Sequence, residues 1–308
     1  MEQEEGSARS SALQRIFAHL SKAPEGEPSL EFIRQQTEDY AMGEAGEGLA
    51  RCREVVVQIG GRSGSWFIPP HASEARRHVH LHGGGWIAGS VSSHRALAAE
   101  IAFAARMPVL LASYRLAPEH PYPAALDDVT EAFGHAQNFG ADGFSEPGRV
   151  SLSGDSAGGN LAAALTLRLV LSGRDVPEAL LLMSPFLAIA IAPSAFASQL
   201  QDPVVAPQAM EMVGAMYAPG REVSDLLIEP LRAPDELLAR FPPTLVQVSA
   251  SETLRDQAWA FANRLWSVRA DARLSFWPDV PHVWQVFMKS LPDAQQAIAE
   301  AAVFLKSV

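Results

Sequence analysis

From residue 53 onward the chain alternates short apolar runs with amphipathic helical patterns, and few folds accept that rhythm. The strand-like runs are 53–59, 64–69, 78–82, 108–114, 149–153, 179–183, 244–250 and 273–278, most of them bounded by Gly or Pro. Helical patterns cover 93–105, 124–139, 158–171, 255–267 and 293–306. Such alternation predicts the α/β class, with a mostly parallel eight-stranded sheet flanked by helices on both faces. The first two strands, separated by Gly60-Gly61-Arg62-Ser63, are expected to form an antiparallel hairpin at the sheet edge. A length of 308 residues allows two domains, but α/β folds often use this much chain for one, and a single domain over 1–308 is expected.

Two segments break the alternation. Residues 1 to about 48 hold helical pieces interrupted by Pro24, Pro28 and a Gly/Glu-rich link, and residues 186–240 hold helical pieces punctuated by six prolines from Pro193 to Pro234. Insertions in α/β folds tend to sit over the carboxyl edge of the sheet, where ligands bind, so both segments are read as a cap. Between Ala179 and Gln201 there is no charged residue, a run long enough to span a bilayer. Pro185 and Pro193 interrupt it and no basic cluster flanks it, so a buried strand continuing into the cap is expected, not membrane insertion. Thirty-five acidic residues against 24 basic ones give a net charge of −11, which argues against a nucleic-acid partner. Cys52 is the only cysteine, so no internal disulfide or cysteine-based zinc cluster can form. With the acidic start Met1-Glu2-Gln3-Glu4-Glu5, this points to a cytoplasmic protein.

The chemistry begins at Gly154-Asp155-Ser156-Ala157-Gly158, which fits G-x-S-x-G with a strand pattern before it and a helical one after. A serine on so sharp a turn sits in strained backbone geometry, and small residues two before and two after it avoid clashes. The turn exposes the hydroxyl and aims helix N-terminal amides at whatever it attacks. Such a nucleophile is followed along the chain by an acid and then a histidine. Of nine histidines only His282 lies after Ser156, in a loop beyond the last strand pattern. Thirteen carboxylates lie between them; Glu252 ends the run from Thr244 and is favoured over Asp256, one helical turn later. His82-Gly83-Gly84-Gly85-Trp86 follows another strand pattern, and its glycine amides can approach an oxyanion closely, with the amide of Ala157 as their counterpart.

His82-Gly-Gly-Gly-Trp86 and Gly154-Asp-Ser-Ala-Gly-Gly159, with the long run Tyr114 to Asp128, resemble the hormone-sensitive-lipase-like family of α/β-hydrolase esterases over roughly residues 50–308. The resemblance implies the α/β-hydrolase fold, a helical cap, carboxylic-ester hydrolysis without metal or other cofactor, and often a homodimer. It assigns Ser156 as nucleophile, His282 as base, and Gly83, Gly84 and Ala157 to the oxyanion hole, leaving open which two of Gly83, Gly84 and Gly85 donate. This chain has Glu252-Thr-Leu-Arg-Asp256 where the family usually carries Asp in a D-P-L-x-D run, and His282-Val283-Trp284 in place of H-G-F.

The expected function is therefore a serine carboxylesterase with a Ser156–Glu252–His282 triad and an acyl-enzyme intermediate. A lactonase or amidase on the same triad is the alternative, as is a non-catalytic receptor for small ligands; such receptors lack the catalytic histidine, and here His282 is present. His78, His80 and His82 share one strand face and could line up on a metal. Packed or hydrated histidines are the favoured reading, because no Asp, Glu or Cys lies in the neighbouring motif. Trp86, Tyr114, Phe186, Leu187, Phe196, Met216, Tyr217, Val283 and Trp284 are the candidate substrate-binding residues, suggesting a small to medium apolar ester.

Overall fold

A computed structural model describes residues 2–21, 28–41, 43–72, 75–144, 148–190, 202–221 and 225–308. The strands are β1 (Arg53–Ile59), β2 (Arg62–Ile68), β3 (Arg76–Leu81), β4 (Val109–Ala112), β5 (Phe139–Gly140), β6 (Gly143–Phe144), β7 (Arg149–Asp155), β8 (Leu180–Met183), β9 (Thr244–Ser249) and β10 (Ala272–Trp277). The helices are α1 (Glu2–Leu20), α2 (Leu30–Asp39), α3 (Glu47–Arg51), α4 (Val91–Ala105), α5 (Ala124–Asn138), α6 (Ala157–Leu171), α7 (Pro207–Tyr217), α8 (Asp235–Leu238), α9 (Arg255–Ser267) and α10 (Pro292–Ser307).

Eight strands form one sheet in the order β1-β2-β4-β3-β7-β8-β9-β10, and β5 and β6 make a separate two-residue ribbon. The β1–β2 and β2–β4 pairs are antiparallel, and all later neighbours are parallel. The expected edge hairpin is present with a tighter turn than the sequence suggested. Ile59 pairs with Arg62, so only Gly60 and Gly61 turn the chain, both at positive φ (56° and 80°). Two adjacent residues at positive φ favour glycine and match the twist of the flanking strands.

The central strands are buried on both faces, which is why they read as continuous apolar runs. Successive residues alternate between two cores. Leu180 and Leu182 of β8 pack with α5, α6 and α9, whereas Leu181 and Met183 pack with α4 and α10. Helix starts follow local chemistry. Ser90 accepts from the amides of Ser92 and Ser93, and the Ser93 hydroxyl accepts from the Ser90 amide, closing a capping box on α4. Proline at the first position opens both α7 and α10. No helix among the described residues is long and apolar enough to cross a membrane. Within the uncharged run, 180–183 form the buried strand β8; residues 191–201, including Phe196, lie outside the described residues.

Candidate active site

The carboxyl ends of β3, β7, β8, β9 and β10 lead into the loops that carry the site. Ser156 occupies the turn between β7 and α6 at φ 52° and ψ −119°, a strained position for a residue with a side chain. The turn is fixed by its own backbone: the Ser156 amide donates to the Met183 carbonyl (2.9 Å), and the Ser156 carbonyl accepts from Asn160 (3.1 Å) and Phe186 (3.0 Å). Both flanking glycines are sterically required. A Cβ on Gly154 would fall 2.2 Å from the Gly158 carbonyl oxygen, and one on Gly158 would fall 2.1 Å from that of Leu81. No hydrogen bond holds the Ser156 hydroxyl among the described residues, leaving it free to rotate.

His282 and Glu252 meet from separate loops. His282 Nδ1 lies 3.2 Å from Glu252 Oε2, and both side chains are buried. The same Glu252 oxygen accepts from the Ser184 hydroxyl at 2.8 Å, and Ser184 Oγ accepts in turn from the Val283 amide at 3.3 Å. Ser184 thus ties the end of β8 to both loops. The Tyr40 hydroxyl donates to the His282 carbonyl oxygen, bringing the N-terminal region to the same place. Burial opposes charge on the imidazole, but the facing Glu252 carboxylate more than offsets it, holding His282 above its usual value of 6.5. Burial pushes the Glu252 carboxyl up as well. Asp256, the other candidate acid, sits at the start of α9 next to Arg255, with Oδ1 3.4 Å from that guanidinium.

The glycine loop after β3 is shaped by a buried carboxylate. Asp155 Oδ1 accepts from the Gly83 amide (3.1 Å), and His80 and His94 each place Nε2 3.3 Å from a carboxylate oxygen. Burial works against the Asp155 charge, and the facing His94 and His80 overcome it, keeping the carboxyl well below its ordinary range. The Gly83 amide is therefore engaged. No acceptor among the described residues takes the amides of Gly84, Gly85 or Ala157, the last being the first residue of α6. Gly84 and Gly85 have φ of 113° and 61°, and a Cβ on Gly84 would lie 2.3 Å from the Ala88 carbonyl oxygen.

The histidine row faces serines. His78 bonds Ser151 (2.7 Å) and Ser153 (2.6 Å), His80 bonds Ser153 (2.7 Å), and His82 bonds the Gly83 carbonyl (2.8 Å). Burial and neighbouring imidazoles lower His78 and His82 to about 3.

The candidate pocket residues divide into groups. Trp86 stacks on Tyr217 at 4.4 Å between ring centres and lies 5.1 Å from Phe186, and Leu187 joins the same core. Met216 packs nearby against the small cluster of Ile87, Ala88 and Ala117. Tyr114 instead braces the glycine loop, stacking on His82 at 4.1 Å and donating to the His82 carbonyl at 2.7 Å. Val283 and Trp284 belong to the core on the other side of the sheet, where Trp284 packs against Trp277 and bonds the Asp293 carbonyl. That is structural packing and does not bring Trp284 to the Trp86 group. Ser184, Tyr40 and Asp155 went unassigned in the sequence. For Ser184 a signal existed, since it directly follows a strand at the functional edge of the sheet.

A strained serine between a parallel strand and a helix, with a buried His–Glu pair at the same sheet edge, defines an α/β-hydrolase. Residues 78–286 match the family described as having the alpha/beta hydrolase fold. An esterase of Acinetobacter venetianus is 34% identical over 245 residues, 78% of each chain. An acetyl-hydrolase of Streptomyces hygroscopicus is 31% identical over 253 residues, 82% of each chain. The crystal structure of an esterase from the bacterial hormone-sensitive lipase family superposes with a TM-score of 0.87 at 33% identity, covering 96% of this chain and 98% of that one. The chain belongs to the hormone-sensitive-lipase-like family of α/β-hydrolase esterases.

Proposed function

We propose that this carboxylic ester hydrolase works by two-step acyl transfer through Ser156, His282 and Glu252. What carries the reading is the buried His282–Glu252 pair, 3.2 Å apart, at the sheet edge that presents Ser156 on its strained turn. His282 takes the Ser156 proton as Oγ attacks the ester carbonyl, and the carbonyl π pair moves onto oxygen. The amides of Gly84, Gly85 and Ala157 receive that oxyanion; Gly83 is set aside because Asp155 holds its amide. Collapse expels the alcohol with the proton from His282, and water then repeats both steps on the acyl-enzyme. Glu252 fixes the imidazole tautomer and stabilises the imidazolium, while Ser184 fixes Glu252.

Residues 1–48 and 186–240 are read as the cap over this edge. Trp86, Phe186, Leu187, Met216 and Tyr217 supply an apolar wall suited to small and medium acyl or alcohol groups. The test is a Ser156→Ala variant assayed with p-nitrophenyl esters of increasing chain length. Turnover is expected to fall by roughly 10⁴-fold or more, and labelling by a fluorophosphonate probe to disappear, in a chain that still folds. Retained turnover in folded Ser156→Ala overturns the mechanism, and a parent enzyme faster on long-chain than on short-chain esters overturns the substrate class.

A further inference from the structure

The segment 186–240 brings a further carboxylate, Asp202, to the loop that holds Glu252. Asp202 is half-buried, and its Oδ1 accepts from the amides of Val204 (2.9 Å) and Val205 (3.1 Å), which fixes the side chain in a local turn. Its Oδ2 reaches across to the loop after β9 and accepts from the Thr253 amide at 2.9 Å. Thr253 is the residue next to Glu252 and is buried. One hydrogen bond thus joins the segment that returns from the cap to the loop that holds the acid. The donors to Asp202 are neutral amides, and no Lys or Arg pairs with it among the described residues. Glu252 contacts the His282 imidazole and Tyr40 the His282 carbonyl, while the carboxylates of Asp202 and of Asp155 at the end of β7 act on His282 through their charge.

We propose that Asp202 is a positioning residue of this esterase: it fastens the returning end of the cap to the Glu252 loop and places a second negative charge beside the base. The inference rests on the reading of His282 as base and Glu252 as its acid. The direction of the electrostatics supports it, since Asp202 adds to the effect of Glu252 in raising His282 and joins burial in raising Glu252.

Asp202→Asn separates this role from a structural one. The Asn oxygen still accepts from Val204 and Val205, but its amide group cannot accept from Thr253. Active sites are counted by fluorophosphonate titration, and kcat and KM for p-nitrophenyl acetate are measured across pH. The acid limb of kcat/KM is expected to move down by roughly half a pH unit, because a lost negative charge lowers the pKa of a nearby imidazole. Plateau kcat is expected to fall roughly three- to ten-fold with KM changed by less than about two-fold, and Asp202→Glu to keep the parent acid limb. An Asp202→Asn acid limb that superposes on the parent's, with only a lower Tm, overturns the proposal. Ser156→Ala in the same assay tells the two readings apart. If it is inactive while Asp202→Asn is unshifted, only the role of Asp202 falls; if it stays active, the catalytic reading falls with it.

Discussion

At Ser156 the backbone conformation, φ 52° with ψ −119°, is one that a residue with a side chain rarely adopts. Three neighbouring backbone bonds hold it there, so the surroundings keep the strained serine in place. The proposed acid differs from its competitor in what each carboxylate touches. Glu252 Oε2 is shared between His282 and Ser184, whereas Asp256 lies beside Arg255 on α9. Glu252→Gln is therefore expected to cut kcat by roughly 10²-fold or more, and Asp256→Asn to leave it nearly unchanged, as steady-state kinetics on each variant will show. The pH profile follows from the imidazole. As the proposed base His282 works only when neutral, and the Glu252 carboxylate holds its pKa above 6.5, so kcat/KM is expected to rise with pH through a midpoint above that value. A plateau already complete at pH 6 contradicts this. Ser156, Glu252 and His282 could be singled out as candidates because a strand–turn–helix pattern, a strand end and a histidine late in the chain are local features. Tyr40 and Asp202 were not, because their partners lie 242 and 51 residues away and only the fold brings them together.

Among the elements, the strand rhythm carried the sheet and its parallel pairing; the departures lie at element ends, at one turn and in the small β5–β6 ribbon, which no strand pattern announced. The four-residue link expected between β1 and β2 is a two-residue turn because Arg62 and Ser63 continue the ladder opposite Ile59 and Gln58. The histidines of β3 show why alternation alone does not define chemistry. Their facing side chains are Ser151 and Ser153 of the neighbouring β7, a pairing set by sheet order rather than by sequence neighbours. Close approach of β3, β7 and α6 also sets what glycine must do. Gly158→Ala would force a methyl group to within 2.5 Å of the Leu81 and His82 carbonyl oxygens, both backbone atoms that cannot swing aside. A loss of about 3 kcal/mol is expected, with distortion of the nucleophile turn and of activity. Gly134→Ala, within α5 where nothing lies within 4 Å, is expected to stabilise by about 0.5–1 kcal/mol. Denaturant melts of the two variants should move in opposite directions.

Across the whole molecule, the N-terminal helices are joined to both halves of the site. Arg34 on α2 donates to the Ile87 carbonyl (2.8 Å) just after the glycine loop and pairs with Glu119, while Glu38 accepts from the Ser90 hydroxyl at the start of α4. One residue beyond α2, Tyr40 donates to the His282 carbonyl and packs 5.5 Å from Phe287. A single short segment therefore touches the loop proposed to hold the oxyanion and the loop proposed to hold the base. The Tyr40 hydroxyl stays protonated, because burial, with Asp202 and Glu252 nearby, pushes its pKa well above 10. It can thus act as a donor throughout the working range of pH. Tyr40→Phe keeps the ring against Phe287 and removes only that donor. Loss of one buried hydrogen bond costs about 1 kcal/mol, which in a chain of this size lowers Tm by roughly 2–4 °C. If the bond also holds the His282 loop in register, kcat falls by more than the small loss of folded enzyme accounts for, and fluorophosphonate labelling slows in parallel. Normal labelling and kcat per active site in Tyr40→Phe would mean that the N-terminal helices contribute stability alone.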